Sequence, residues 1–98
     1  MKKKSQADTK AKGIFIVKND RGLHTRPSTE IVRCATAFRS EITLTYKKID
    51  VNARSILGIL MLAAEKGSRI KITAEGNDAT EAVDALLELA SKSFNMNY

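Results

Sequence analysis

The chain is expected to fold as an α+β open-faced β-sandwich, in which a four-stranded antiparallel sheet is covered on one face by three helices in the order β-α-β-β-α-β-α. Three observations predict this. The 98 residues suffice for one small domain. Short segments rich in β-branched residues, two of which alternate polar with apolar, are separated by segments of helical period. The helical segments are too few to cover both faces of a sheet.

Residues 1–12 (MKKKSQADTKAK) are polar, charged and aperiodic, and are read as a disordered extension. Gly13–Lys18 (GIFIVK) reads as the first strand. Asn19-Asp20-Arg21-Gly22 has turn composition, with Gly22 free to take a positive φ. Pro27 belongs near the first turn of a helix, where its missing N–H costs nothing. Ile31, Cys34, Ala35 and Phe38 then recur on one face of a helix from about Arg26 to Phe38, with Glu30 and Arg33 on the polar side. Glu41–Tyr46 (EITLTY) alternates as a half-buried strand, Lys47-Lys48 is a tight connection, and Ile49-Asp50-Val51 returns. Asn52–Ser55 leads into the apolar run Ile56–Ala64, whose length and Leu, Met and Ala content favour a helix ended by Lys66-Gly67. Arg69–Glu75 (RIKITAE) is the fourth strand. After the turn Gly76-Asn77-Asp78, the last helix stacks Ala82, Val83, Leu86, Leu87 and Ala90 opposite Glu81, Asp84, Glu88 and Ser91. The domain is placed at residues 13–94, with 95–98 as a C-terminal tail.

Composition narrows the function. The chain is 43% hydrophobic and 29% charged, and no apolar run approaches the ~20 residues of a membrane helix. No apolar stretch of signal-peptide type follows the basic N-terminus, so membrane insertion and secretion by that route are not expected. Cys34 is the single cysteine, which leaves no internal disulfide or cysteine-rich zinc site and fits the cytoplasm. The net charge is +6, but residues 1–12 hold five lysines against one aspartate, leaving 12 basic against 10 acidic residues in the remainder. The aromatic residues Phe15, Phe38, Tyr46, Phe94 and Tyr98 are thin material for stacking bases. A nucleic-acid module with the lysine tail on phosphates would explain the tail alone, so no nucleic-acid partner is expected.

Three features can carry chemistry. The single histidine, His24, lies between a turn glycine and a helix-starting proline, at or near the N-cap. The first helical N–H groups, around Thr25 and Arg26, would point toward it and form an anion site at the positive end of the helix dipole. Arg26 adds a guanidinium suited to phosphate oxygens. An imidazole nucleophile, main-chain donors and a cation are what reversible phosphorylation of a ring nitrogen requires. The plainer reading is a solvated loop residue or a cap. No metal site is expected from one histidine and one cysteine, no cofactor is implied, and Cys34 falls on a buried face as an inert small apolar residue. Ser55 precedes the second helix, either as its cap or as a regulatory phosphosite. Ile56, Leu57 and Leu60 share about 100° of that helix, while Ile59, Leu62 and Ala63 fall on another sector. The first sector is either core or an exposed patch for a protein partner.

Taken together, these residues resemble HPr, the histidine-containing phosphocarrier family of the bacterial phosphoenolpyruvate-dependent sugar phosphotransferase system. Gly22-Leu23-His24-Thr25-Arg26-Pro27 is close to the family's G-[IL]-H-A-R-P active-site signature. Val51–Gly58 (VNARSILG) resembles its regulatory segment, and Ile70–Gly76 (IKITAEG) one of its strands and turns. The resemblance covers roughly Gly13 to Phe94. It implies that His24 is phosphorylated on Nδ1 with Arg26 assisting, and that Ser55 is the serine modified by HPr kinase/phosphorylase. It also implies that Ile56, Leu57 and Leu60 dock Enzyme I and the IIA domains of sugar permeases. On this reading the chain is not an enzyme but a monomeric phosphoryl carrier. Thr25 stands where alanine is usual and would alter access or donate a hydrogen bond to a bound phosphoryl group. Ala63-Ala64 replaces a segment richer in glycine. The pattern leaves open sugar uptake or a purely regulatory branch.

Overall fold

Alternation along the strands decides which side of the sheet is covered. The computed structural model describes residues 9–96. Its elements are β1 (Lys10–Ile16), α1 (Thr25–Thr36), β2 (Glu41–Tyr46), β3 (Ile49–Asn52), α2 (Ile56–Met61), β4 (Arg69–Glu75) and α3 (Ala79–Ser91), followed by a 3-10 turn at Ser93–Asn95. The strands pair antiparallel in the order β1-β4-β2-β3. Phe15, Ile42, Leu44, Ile70, Ile72 and Ala74 are buried beneath the helices, whereas Lys12, Ile14, Ile16, Arg69 and Lys71 are exposed on the open face. This is the expected α+β open-faced sandwich.

From above the sheet, α1 supplies Ile31 and Ala35, α2 supplies Ile59, and α3 supplies Ala82, Val83, Leu86 and Ala90, all in one core. Phe94 is fully buried and meets Phe15 edge to face, with centroids 5.5 Å apart.

Several boundaries differ from expectation, among them the end of β1 at Ile16 and not Lys18 and of β3 at Asn52 and not Val51. β1 begins at Lys10: Lys10, Ala11 and Lys12 pair with Glu75, Ala74 and Thr73, so residues 10–12 are strand and not disordered extension. An edge strand is held by backbone pairing, which polar side chains facing solvent do not advertise. Residues 1–8 of that expected extension, and 97–98 of the expected tail, lie outside the described residues. α1 ends at Thr36, with Phe38 half-buried beyond it. α2 ends at Met61 and not near Ala64, because Leu62 caps it and Ala63 turns into the left-handed region at φ 51. Asn95, expected in the tail, belongs to a turn in which Ser93, Phe94 and Asn95 all have positive φ.

Asp78, the N-cap of α3, holds the end of the α1–β2 connection. Its carboxylate accepts the N–H groups of Arg39 (2.9 Å) and Ser40 (3.0 Å) and the Ser40 hydroxyl. The Ser40 hydroxyl and then the Arg39 N–H favour the ionised form and lower the Asp78 pKa. A carboxyl with a depressed folded-state pKa contributes stability above its unfolded value of about 3.9 and loses it as pH falls through the folded value. Asp78→Ala is therefore expected to melt lower than wild type at pH 7, with the gap closing as pH falls below about 4. Thermal melts at pH 7 and pH 2.5 check this, and a gap that persists unchanged in acid contradicts it.

Candidate functional site

The residues around His24 are placed by backbone contacts. Asn19–Gly22 closes a turn through Gly22 N–H to the Asn19 carbonyl (2.9 Å). Gly22 has φ +70, and a Cβ there would lie 2.2 Å from the Ala64 carbonyl oxygen and 2.9 Å from Glu65 Cα. Only glycine permits both the backbone angle and the approach. The approach lets Leu23 N–H donate to the Ala64 carbonyl (2.9 Å), while the Ser28 hydroxyl donates to the Leu23 carbonyl (3.1 Å). On the far side, the Asn19 side-chain amide donates to the Ser93 carbonyl at 3.0 Å.

His24 follows as the N-cap of α1, in extended conformation. Its carbonyl accepts the first helical bond, from Ser28 N–H at 3.1 Å, and its imidazole makes no cap bond. The N–H groups of Thr25 and Arg26 precede that bond at the mouth of the helix, and no acidic side chain occupies the first turn. The histidine is half-buried, with Nε2 shielded from solvent. His24, Arg26, Asp20 and Arg21 line an open cavity of about 370 Å³. Thr25 and Arg26 are exposed. Asp20 lies 3.0 Å from Lys66 Nζ through Oδ1. The surroundings thus combine a nitrogen nucleophile with an excess of positive charge, an arrangement suited to an anionic group.

The second expected site is also a defined structure. Ser55 is the N-cap of α2, and its hydroxyl accepts Gly58 N–H at 2.9 Å. The cap reading of Ser55 is thus realised, and it leaves the modification reading to be tested. In the helix that follows, Ile59 and Leu62 enter the core, but Ala63 is exposed, contrary to expectation, because it lies past the helix end. Leu57 and Met61 are 69% and 70% exposed, Ile56 is partly exposed and Leu60 half-buried. The patch is therefore Ile56, Leu57 and Met61 with Leu60 at its base.

Several residues with roles in the site carried no sequence signal beyond turn or loop composition. Arg21 and Asp20 join His24 only through the turn's path. Arg54 donates from Nη2 to the carbonyls of Phe38 and Ser40, the latter at 3.0 Å, tying the loop before α2 to the end of α1.

Cys34 and the described aromatic residues lie outside the lining of the His24 cavity. Cys34 is half-buried, burial raises its thiol pKa, and it lines a different cavity between α1 and α3. No group of three metal-binding side chains occurs among the described residues. No described helix is long and apolar enough to cross a membrane. Phe15 and Phe94 lie in the core, with Phe38 and Tyr46 packed against it, so the described aromatic rings form no stacking platform.

Comparison with known proteins gives the family of the chain. The model of the family described as the PTS HPr component phosphorylation site matches residues 11–92. The phosphocarrier protein HPr of Xylella fastidiosa strain 9a5c is 41% identical over 81 residues, covering 83% of this chain and 91% of that protein. The crystal structure of HPr-C-His from Thermoanaerobacter tengcongensis superposes with a TM-score of 0.85 at 36% identity, covering 90% of this chain and 99% of the other. A phosphocarrier protein HPr from Bacillus anthracis str. Ames gives 0.77 at 38% identity, covering 83% and 96%.

The close approach at Gly22 yields a direct test. Gly22→Ala is expected to lower unfolding stability by roughly 1–3 kcal/mol through overpacking and left-handed backbone strain. Its amide chemical-shift changes should centre on Leu23, His24 and Ala64 and spare the β2–β3 hairpin. Unchanged stability would show that the turn yields without cost.

Proposed function

The chain belongs to the HPr family of phosphocarrier proteins of the phosphotransferase system, and on that premise we propose that His24 accepts a phosphoryl group from phosphorylated Enzyme I and passes it to IIA domains of sugar permeases. The observation that carries this reading is the placement of His24 at the mouth of α1, in one open cavity with Arg26.

In the transfer, a lone pair on a neutral imidazole nitrogen of His24 attacks phosphorus as the N–P bond of the donor's phosphohistidine breaks. The departing imidazole keeps that bond's electron pair, so no oxidant or metal is needed. The accepting nitrogen in this reading is Nδ1, a choice that the shielding of Nε2 supports. The N–H groups of Thr25 and Arg26 and the Arg26 guanidinium steady the equatorial oxygens, because preorganised donors act where charge is shared in the transition state. An open cavity suits a carrier that must release what it takes, and the same transfer in reverse delivers the group onward. Ile56, Leu57, Leu60 and Met61 form the docking surface for Enzyme I and IIA domains, an exposed apolar patch being what transient protein partners use. The setting is cytoplasmic and the working form a monomer.

Ser55 is the regulatory site in this reading. HPr kinase/phosphorylase would add about −1.5 to −2 charges beside Ile56 and Leu57, which opposes docking of an apolar partner surface.

Incubation with phosphoenolpyruvate and Enzyme I is expected to give one acid-labile phosphate per chain, absent from His24→Ala. An unlabelled wild type, or a labelled His24→Ala, rejects the assignment. For Ser55, the Ala variant removes the cap and should cost about 1 kcal/mol of stability with transfer retained. Ser55→Asp should slow transfer from Enzyme I roughly tenfold, equivalent to about 1.4 kcal/mol. Equal rates for Ser55→Asp and wild type would reduce Ser55 to a cap.

A further inference from the structure

We propose that Arg21 is a second guanidinium contact to the phosphoryl group carried on His24 and sets how firmly that group is held. The proposal rests on the reading of His24 as the acceptor and adds a residue to it.

Arg21 lies in the Asn19–Gly22 turn, three residues before His24, and Arg26 lies two residues after it on the first turn of α1. The two approach the imidazole from opposite directions along the chain, and both line the His24 cavity. Arg21 is exposed, and its guanidinium enters no ion pair among the described residues. Asp20 is the acidic residue of the lining, and its Oδ1 lies 3.0 Å from Nζ of Lys66, a residue outside the cavity. The Lys66 charge offsets that carboxylate, so the lining keeps a positive excess. The backbone that bears Arg21 is anchored on both sides, by Asn19 to the Ser93 carbonyl and by Gly22 against Ala64.

A phosphoryl group on a ring nitrogen presents three oxygens and about two negative charges. One guanidinium fork engages two oxygens, and beside the neutral Thr25 and Arg26 N–H groups the oxygens retain lone pairs for a second cationic donor. Arg21 is the cationic lining residue beside Arg26 that can supply it. Because Arg21 meets the group only after transfer begins, its contribution appears in the equilibrium between carrier and donor and not in the fold.

The test uses the full chain with phosphoenolpyruvate, pyruvate and catalytic Enzyme I brought to equilibrium. The ratio of phosphorylated to free His24 is read by phosphorus NMR. Enzyme I only catalyses, so its own salt sensitivity drops out of comparisons between variants. Arg21→Ala is expected to lower the ratio roughly two- to fivefold at low salt, the range for an exposed charge pair. The loss should shrink toward none in about 0.5 M salt, where screening is short-ranged. Arg21→Lys should recover part of it. Lys71→Ala, which removes one charge from the open face of the sheet, should match wild type. Arg21→Ala indistinguishable from wild type at low salt, or Lys71→Ala falling equally, overturns the assignment while leaving His24 as acceptor. A wild type that takes up no phosphate overturns both.

Discussion

Leu23 N–H reaches the Ala64 carbonyl at 2.9 Å, its own carbonyl takes the Ser28 hydroxyl at 3.1 Å, and its side chain is buried in the core. The next residue is the histidine. A residue pinned at donor, acceptor and side chain leaves its neighbour little backbone freedom, so the backbone of His24 is fixed by its neighbour and not by a side-chain cap bond. The proposed acceptor is thereby held in a fixed position at the edge of its open cavity. The arrangement depends on Gly22, since any Cβ there would displace the Ala64 carbonyl that Leu23 needs. It also explains the abrupt end of α2. Ala63 turns left-handed so that the chain can present Ala64 to the histidine loop, and a longer helix would carry that carbonyl away.

Local patterning made the strands and helix faces legible, and distant contacts set what it missed. EITLTY and RIKITAE alternate, and they are strands with the expected bounds. The stripe Ala82, Val83, Leu86 and Ala90 is buried, with Leu87 half-buried beside it. The apolar run after Ser55 misled because its composition stays helical after the geometry stops being so. Nothing within Leu62-Ala63-Ala64 announces a bond to Leu23, some forty residues away in the chain. Lys10–Lys12 misled for the opposite reason. Their side chains resemble a tail, while their backbone completes an edge ladder with β4. Of the candidate site, the cap positions of His24 and Ser55 and the place of Arg26 in the first turn of α1 were legible through turn and cap chemistry. Arg21, Arg54 and Met61 were not, because their roles come from where a loop or a helix end points.

The α2 surface illustrates how one short helix serves two demands. Ile59 and Leu62 anchor it to the core, and this anchoring lets Leu57 and Met61 stand in solvent without the helix being lost. Six residues make few internal bonds, so the Ser55 cap matters more here than on a long helix. In the proposed regulation the modified atom is also the capping atom. A phosphoryl oxygen can take over as acceptor for Gly58 N–H, so the helix has no need to unwind. The effect then falls on the charge beside Ile56 and Leu57, which is where an apolar partner surface would have to be desolvated.

Holding and releasing a phosphoryl group place opposite limits on the His24 cavity. Enclosure in a dry pocket would strengthen every cation–phosphate contact, since the same charges interact several times more strongly away from water. A group held that firmly would not pass onward. The cavity is open and its cations are exposed, so each contact is screened and worth little alone. In the proposed carrier, two weak guanidinium contacts beside the Thr25 and Arg26 amides would orient three oxygens with modest total stabilisation. The Asp20–Lys66 pair fits the same limit, because it keeps a carboxylate near the cavity without letting it cancel the arginines. Transfer in either direction requires that the phosphorylated and free states stay close in energy. Exposed, paired and partly offset charges achieve that balance where burial would tip it toward retention.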